Sequence, residues 1–297
     1  MRGIAGVASI PRVCRPAMLS YRHAFHAGNY ADVLKHLVVC RILAYLTQKP
    51  APVRYIDTHA GAGVYRLASA EAGTTGEYCN GIGLLWGRND LPVALAAYRA
   101  LVAECNAGDT LRHYPGSPWF ARRVLRTQDR LDVCELHPQD FPRLQQLFEK
   151  DKRVCCHFED GFKRSLALIP PLERRALVLL DPSYEIKHDY ARVAAHVQAL
   201  HRRFSTGVYA LWYPLVEPRR VKALEAAFIN SGMRRIHLYE VCLTSKHNGR
   251  GMTGAGMIVV NPPWKLREEV RAALDCFAPL VSDTGEPIYR IVELAGE

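Results

Sequence analysis

The 297-residue sequence lacks the features that define several large classes of protein. No apolar run approaches the roughly 20 residues that a membrane-spanning helix needs, because Lys, Arg or Asp interrupts each candidate. Internal repeats and low-complexity segments are also absent. With 49% apolar and 23% charged residues, the composition is typical of globular proteins. At about 150 residues per domain, the length fits two folding units or one α/β domain with an insertion.

The nine cysteines do not form the spacing of a disulfide scaffold or a metal site. Their number is odd, no Cys-x-x-Cys pair occurs, and most lie inside apolar stretches. This usage is typical of a reducing compartment, so we expect a cytoplasmic protein. A structural zinc site would need ligand pairs about two to four residues apart. Because such pairs are absent, we expect no bound metal.

Basic residues outnumber acidic ones, 39 to 29, which gives a net charge of +10. A field of this sign concentrates polyanions near the protein surface, so nucleic acid is a candidate partner. The alternative is a basic protein without such a partner.

The first 17 residues contain three arginines, no acid and two prolines that interrupt any helix. They fit either a short targeting leader or a non-native extension that precedes a start at Met18. The apolar part is short and broken by proline, so we expect residues 1–17 to be a disordered or non-native extension. One functional domain is then expected over residues 18–297.

From residue 29 onward, short apolar runs alternate with segments of helical periodicity. This alternation predicts a parallel, doubly wound α/β sheet with helices on both faces. Residues from about 66 to 112 contain short helical pieces and no strong strand, which predicts a small helical insertion. Ser117 is the predicted cap of a helix that has Pro118 at its first position. The expected strands are 53–56, 131–136, 154–158, 176–180, 207–213, 236–243 and 257–260. The expected helices include one that follows Asn29 and ends near Gln48, and the segments 189–204 and 221–229.

A glycine-rich turn follows the first predicted strand and contains Asp57, Gly61 and Gly63. Its glycines allow a sharp turn and a close approach of the backbone to a bulky ligand, which favours a nucleotide-like cofactor. The third glycine of a dinucleotide-binding turn is replaced by Arg66, which argues against a dinucleotide.

Two further acids follow the next predicted strands, at the sheet edge where such folds bind ligands. The Glu135 carboxylate could accept hydrogen bonds from both hydroxyls of a ribose, or it could simply face solvent at a strand end. Asp160 with the amide of Gly161 could meet the amine and ring nitrogen of an adenine, and a plain Asp-Gly turn is the alternative.

The tetrapeptide Asp181-Pro182-Ser183-Tyr184 follows a strand of five apolar residues. An amine conjugated to an aromatic ring is a poor nucleophile, because its lone pair is delocalised. The Asp181 carboxylate and the Pro182 carbonyl could accept its two hydrogens and favour the geometry in which the lone pair attacks. Tyr184 could stack on the ring. An Asp-Pro turn that closes the strand is the alternative.

Residues 57–63 and 181–184 resemble the cofactor loop and catalytic tetrapeptide of amino methyltransferases that use S-adenosylmethionine. The sequence from Met18 to the C-terminus resembles the RlmJ family, whose members methylate N6 of adenine 2030 in 23S ribosomal RNA. The resemblance implies a mostly parallel, Rossmann-like class I methyltransferase sheet with an inserted helical subdomain. It is carried by residues 18–36, 114–118, 210–214 and 256–265.

The resemblance also implies roles for individual residues. Tyr21 matches the position that contacts RNA, and Asp181 both lies near the cofactor and acts on the amine. Catalysis would thus involve Asp181, Pro182 and Tyr184, with 23S rRNA as partner, no membrane association and a monomeric state. The implied contacts with S-adenosylmethionine are His36, His59, Ser117, Glu135, Asp160, Gly161 and Asp181, in addition to Gly61 and Gly63 of the glycine-rich turn.

One position departs from the family pattern, because Ser183 replaces the second proline of the tetrapeptide. The turn loses the rigidity of proline, while the carboxylate, the first carbonyl and the aromatic ring remain. Asn261-Pro262-Pro263-Trp264 fits the pattern better by letter but follows the last predicted strand, so we interpret it as structural. Two other functions stay open: methylation of DNA adenine, and nucleic-acid binding with a degenerate site.

Overall fold

The computed structural model describes residues 22–184, 189–244 and 251–297. The expected extension 1–17 and the predicted RNA contact Tyr21 lie outside the described residues. Within the part that is described, no helix is long and apolar enough to cross a bilayer.

An eight-stranded sheet forms the centre of the fold, in the order β10-β8-β9-β7-β6-β1-β4-β5. The five strands from β7 to β5 pair in parallel. β9 is antiparallel to β7 and β8, and β10 is antiparallel to β8, so only β9 and β10 run against the other six strands of this sheet. The strands of the described residues are β1 (Arg54–Asp57), β2 (Val64–Arg66), β3 (His113–Pro115), β4 (Arg130–Cys134), β5 (Val154–His157), β6 (Ala176–Leu180), β7 (Val208–Leu215), β8 (Ile236–Cys242), β9 (Gly254–Val260) and β10 (Tyr289–Ala295).

Helices cover both faces of the sheet, which confirms the predicted α/β, mostly parallel, Rossmann-like class. One apolar cluster joins the sheet to α1, α4, α5 and α10, and the cluster on the other face involves α8 and α9. The helices are α1 (Tyr30–Leu46), α2 (Ala70–Thr75), α3 (Ile82–Leu85), α4 (Val93–Glu104), α5 (Ser117–Val124), α6 (Asp140–Phe148), α7 (Gly161–Leu168), α8 (Asp189–Arg203), α9 (Pro218–Ile229) and α10 (Leu266–Val281).

Helix α1 lies almost entirely inside the protein, with 14 of its 17 residues buried. It packs against α4, α5, α10 and the sheet, so apolar side chains are needed on every side. Asn29 caps its N-terminus, because the Asn29 side chain accepts a 3.0 Å hydrogen bond from the Asp32 amide. This helix places polar side chains of its first two turns against the carboxyl edge of the sheet.

The chain reverses its winding direction at β1. From β1 it continues to β4 and β5 on one side, and it then returns to β6 and β7 on the other side. The switch point therefore lies between β1 and β6, beyond whose carboxyl ends such sheets bind ligands. All five residues of β6 are buried, as expected for a central parallel strand.

Residues between β2 and β3 form α2, α3, α4 and a short 3₁₀ helix. β2 and β3 pair with each other in an antiparallel two-stranded sheet, which brings the two ends of this segment together. We call the segment from β2 to β3, residues 64–115, the β2–β3 segment.

The predicted cap at Ser117 is wrong, because α5 begins at Ser117 and its N-cap is Gly116. Gly116 is extended, and its amide donates a 2.8 Å hydrogen bond to the Gly63 carbonyl. The Ser117 hydroxyl interacts with the Asp57 carboxylate instead of with its own helix. A contact with a residue that is distant in sequence thus replaces the local capping interaction.

Candidate active site

A cavity of about 480 Å³ lies at the carboxyl edge of the parallel strands. Its walls include the turns that follow β1, β4, β5 and β6, together with the beginning of α1. The predicted site residues that line it are His36, His59, Gly61, Ser117, Glu135, Asp160, Gly161, Asp181, Pro182 and Tyr184, joined by Ser183. The fold thus brings together residues that are separated by more than a hundred positions in the chain.

Gly63 is the exception among the described site residues, because it does not line the cavity. Its backbone has a φ of 80°, which favours glycine. A Cβ atom at this position would lie 2.6 Å from Cδ2 of Leu147 in α6. The structure therefore places Gly63 against α6, and its positive φ is what favours glycine at this position.

The buried Asp57 side chain, at the end of β1, anchors the glycine-rich turn. Its carboxylate accepts hydrogen bonds from the Tyr55 hydroxyl at 2.7 Å and from the His59 amide at 3.3 Å, in addition to the contact with Ser117. Burial raises the pKa of Asp57 to about 6, although these hydrogen bonds act in the opposite direction. The turn after β1 and the start of α5 are thereby joined.

Glu135 is fixed at the cavity by backbone amides. Its Oε2 accepts a 2.7 Å hydrogen bond from Gly61, and its Oε1 accepts a 2.6 Å hydrogen bond from His137. Burial raises the pKa of Glu135 above its ordinary value. Each carboxylate oxygen has a second lone pair, so Glu135 can still accept hydrogen bonds from ligand hydroxyls.

Asp160 is the N-cap of α7, with Oδ1 accepting hydrogen bonds from the Phe162 and Lys163 amides at 2.8 and 3.3 Å. Its Oδ2 lies 3.2 Å from the Arg192 guanidinium. A Cβ atom on Gly161 would lie 1.9 Å from the Thr58 carbonyl oxygen, so the turns after β1 and β5 touch through their backbones. The Asp-Gly pair is therefore both a helix cap and a point of close backbone approach.

Asp181 belongs to a largely buried chain of polar and charged side chains that the sequence did not reveal. Its Oδ2 lies 2.7 Å from Lys35 Nζ, which also lies 2.8 Å from Asp32 Oδ1. Asp32 Oδ2 in turn contacts His23 Nε2 and accepts a hydrogen bond from the Gly28 amide, both at 2.9 Å. Burial alone would lower the pKa of Lys35, but the Asp181 and Asp32 carboxylates raise it above its ordinary value.

Aromatic side chains form one wall beside Asp181. The Tyr184 hydroxyl donates a 2.7 Å hydrogen bond to the Trp212 carbonyl, and the Tyr184 ring centre lies 4.6 Å from that of Tyr190. Tyr184 has a φ of 54°, a left-handed conformation that is uncommon for a residue with a Cβ. The wall offers flat apolar surface next to the carboxylate.

Two histidines lie at other points of the cavity, His36 buried and His59 half-buried. The Nδ1 of His59 lies 2.7 Å from the Thr58 hydroxyl, and burial lowers the pKa of His59 to about 4. Burial also lowers the pKa of His36 well below its ordinary value. Both rings are therefore neutral near pH 7 and can donate from one nitrogen and accept at the other.

The tetrapeptide that begins at Asn261 lies at the opposite edge of the sheet. The Asn261 side chain donates hydrogen bonds to the Ser205 and Gly207 carbonyls, just before β7 begins. Because β9 is antiparallel to β7, its carboxyl end lies far from the carboxyl ends of the parallel strands. Asn261 thus joins two strands and has no place in the cavity.

In residues 22–184, 189–244 and 251–297, no group of three or more His, Cys, Asp or Glu side chains is arranged to hold a metal ion. The eight cysteines within these ranges are free thiols.

Comparisons with known proteins give consistent matches over most of the chain. Residues 50–290 match the RsmJ family, described as "Ribosomal RNA large subunit methyltransferase D, RlmJ". The chain is 48% identical over 257 residues to "Ribosomal RNA large subunit methyltransferase J" of Escherichia coli, covering 86% of this chain and 92% of that protein. The Haemophilus influenzae protein of the same name is 46% identical over 258 residues, with the same coverage. The crystal structure of protein LPL1258 from Legionella pneumophila superposes with a TM-score of 0.84 at 36% identity, covering 90% of this chain and 98% of that one.

Proposed function

The chain belongs to the RsmJ/RlmJ family of methyltransferases, and from this we propose that it methylates N6 of an adenine in 23S ribosomal RNA, with S-adenosylmethionine as methyl donor. The target expected from the family resemblance is adenine 2030. The names of the two relatives support ribosomal RNA as the substrate class, and the net charge of +10 is suited to binding a polyanion.

The contact between Lys35 and Asp181 is the observation that carries this proposal. Oδ2 of Asp181 is held by the ammonium group at 2.7 Å, while Oδ1 accepts no hydrogen bond from any described residue. Asp181 and Pro182 both line the cavity. A rigid carboxylate oxygen and a neighbouring backbone carbonyl are therefore available to accept the two hydrogens of an aromatic amine.

These two acceptors address the chemical difficulty of the reaction. The lone pair of the adenine amine is delocalised into the ring, and hydrogen bonds from both N–H groups favour the pyramidal geometry in which it can attack. When bound, S-adenosylmethionine supplies an electrophilic methyl group that is transferred by direct in-line displacement. The Tyr184 ring offers a surface for stacking with an adenine that is flipped out of the RNA.

The residues around the cavity fit the chemical groups of this cofactor. Glu135, fixed by two amides, suits the ribose hydroxyls, and Asp160 with the Gly161 amide suits the edge of adenine. Ser117 is the first residue of α5, near which an anionic group is favoured, and the neutral ring of His36 packs against Phe120 of the same helix. Gly61, His59 and Asp181 complete the set that we assign to the cofactor, and the contact of Gly63 with α6 gives it a supporting role.

A methylation assay tests the proposal. The protein is incubated with S-adenosylmethionine and unmodified 23S rRNA transcript, and the nucleosides are analysed by mass spectrometry. We expect one N6-methyladenosine per transcript, and none when adenine 2030 is replaced by guanosine. DNA of the same sequence is the matched control.

Methylation of the DNA but not of the RNA would overturn the substrate assignment. Calorimetry that detects no binding of S-adenosylmethionine would overturn the enzymatic assignment and favour a nucleic-acid-binding protein with a degenerate site.

A further inference from the structure

His36 presents a buried nitrogen atom to the cavity. The residue is 1% exposed and lines the cavity, and its Nε2 has no hydrogen-bond partner among the described residues. Its Nδ1 lies 2.7 Å from the Tyr114 hydroxyl. A buried polar atom without a partner is costly, so Nε2 is suited to meet a group of a bound ligand.

The hydrogen bond to Nδ1 continues into the β2–β3 segment. Tyr114, in β3, is fully buried, and its hydroxyl lies 2.8 Å from that of Tyr98 in α4. Tyr98 is 1% exposed, and its hydroxyl has no other partner in the part of the chain that is described. Tyr98, Tyr114 and His36 thus form a chain that begins in the segment and ends in the cavity.

Counting hydrogens gives this chain a direction. If Tyr98 donates to Tyr114, then Tyr114 donates to Nδ1 of His36 and every hydrogen in the chain is used. In the reverse direction the hydroxyl hydrogen of Tyr98 has no acceptor and cannot reach water, which carries the penalty of an unpaired buried donor. The first arrangement is favoured, so Nδ1 accepts and the ring hydrogen of His36 is on Nε2.

The surroundings of Nε2 indicate which ligand group it meets. The Phe120 ring of α5 lies 4.9 Å from the His36 ring, and Ser117, the first residue of α5, lines the same cavity. The positive end of a helix dipole favours an anion nearby. An N–H donor that lines the same cavity as a helix N-terminus is suited to a carboxylate.

We propose that Tyr98 and Tyr114 of the β2–β3 segment hold His36 as a neutral Nε2–H donor to the carboxylate at the amino-acid end of an S-adenosyl cofactor. The identity of the ligand rests on the proposed function. Tyr98 and Tyr114 are positioning residues, since they act on the ligand only through His36. The β2–β3 segment thereby contributes to cofactor affinity although Tyr98 and Tyr114 do not line the cavity.

Calorimetry with two nucleosides tests the ligand part of this proposal. S-adenosylhomocysteine carries the amino-acid end, and 5′-methylthioadenosine shares the adenosine and thioether but lacks it. Tyr114→Phe is expected to raise the dissociation constant of S-adenosylhomocysteine about tenfold. The dissociation constant of 5′-methylthioadenosine should stay within about twofold of the wild-type value. Tyr209→Phe is the matched control, because Tyr209 is buried and hydrogen-bonded but lies away from the cavity. His36→Gln, which keeps a terminal N–H, should retain more affinity than His36→Leu.

Nitrogen-15 NMR of the free protein tests the chain itself. The ring nitrogens of His36 are expected to show a protonated Nε2 and an unprotonated Nδ1 in the wild type, with the preference lost in Tyr114→Phe. A protonated Nδ1 in the wild type would overturn the inference. Equal losses of affinity for both nucleosides in Tyr114→Phe would also overturn it. If the wild type binds neither nucleoside, the proposed function and the ligand assignment both fail, and the NMR result still decides the direction of the chain.

Discussion

Lys35 Nζ lies 2.7 Å from Asp181 Oδ2, so a helix near the beginning of the chain is tied to the turn after its central strand β6. The two residues are 146 positions apart. Lys35 is almost fully buried and contacts a second carboxylate, Asp32, at 2.8 Å. The catalytic carboxylate that we propose is therefore fixed by an ion pair whose ammonium group is almost fully buried.

Asp181→Asn is expected to reduce methyl transfer by a factor of about 10² to 10³, the usual effect of removing one preorganised polar group that stabilises a transition state. The amide keeps the shape of the side chain but replaces one acceptor oxygen with a donor. Single-turnover assays on the RNA transcript measure the effect, and calorimetry with S-adenosylhomocysteine shows whether the cavity is intact. Asp90→Asn, at a surface ion pair, is the control. Transfer near the wild-type rate in Asp181→Asn would remove Asp181 from the reaction.

Lys35→Met is expected to destabilise the protein by about 3 to 5 kcal/mol, because it leaves the Asp32 and Asp181 carboxylates close together without their cation. Denaturant-induced unfolding measures the loss. The double variant Lys35→Met, Asp181→Asn should recover part of the lost stability, because Asp181→Asn removes one of the two carboxylates that lack a cation. Strict additivity of the two single effects would show that the pair is not coupled.

Gly161→Ala is expected to abolish cofactor binding or to unfold the protein, because the added Cβ would overlap the Thr58 carbonyl oxygen. Either turn would have to move, and both line the cavity. Gly73→Ala is the matched control, since a Cβ there meets nothing within 4 Å and α2 should gain up to about 1 kcal/mol in helix propensity. Calorimetry and thermal unfolding of both variants give the comparison. Normal binding by Gly161→Ala would contradict the rigid contact between the turns.

The sequence predicted the parallel strands of the sheet and the acids that follow them, because both depend on local patterns, but it did not predict β10. Apolar runs that end in Asp, Glu or Gly locate β1, β4 and β6 to within one or two residues. The parallel arrangement then requires that their carboxyl ends lie at one edge. This argument predicts that Glu135 and Asp181 lie at one edge of the sheet, whereas their roles towards a cofactor are what the family resemblance implies.

The interactions that the sequence did not predict depend on distant contacts. Because α1 is apolar on nearly every side, its periodicity did not show that Lys35 faces the site. Ser117 obeys the local rule for a helix cap, but the Asp57 carboxylate binds its hydroxyl. Gly63 fits a cofactor loop by position, whereas the fold places α6 against it. In each case the role of the residue depends on a contact with another residue that is far away in the sequence.

A pH-dependent loss of stability is expected from His196, which lies on α8 outside the cavity. Its Nε2 lies 2.9 Å from the Ser165 hydroxyl, and its ring packs edge-on against Phe162 at 4.8 Å. Burial, assisted by the nearby Arg192 guanidinium, lowers the pKa of His196 from 6.5 to about 4. Well above pH 6.5 the ring is neutral in both the folded and unfolded chains, so it adds no pH dependence there.

As the pH falls from 6.5 towards 4, the unfolded chain binds a proton at His196 that the folded protein does not bind, and unfolding is favoured. The expected loss in the free energy of unfolding at pH 4.5, relative to pH 7.5, is about 2 to 3 kcal/mol from this residue. Denaturant titrations of the wild type and His196→Gln at both pH values isolate the contribution, because the pH 7.5 data give the cost of the substitution itself. His196→Gln should lose less stability than the wild type on acidification, since glutamine does not titrate. Equal losses in the two proteins would show that His196 is protonated as readily in the folded protein as in the unfolded chain.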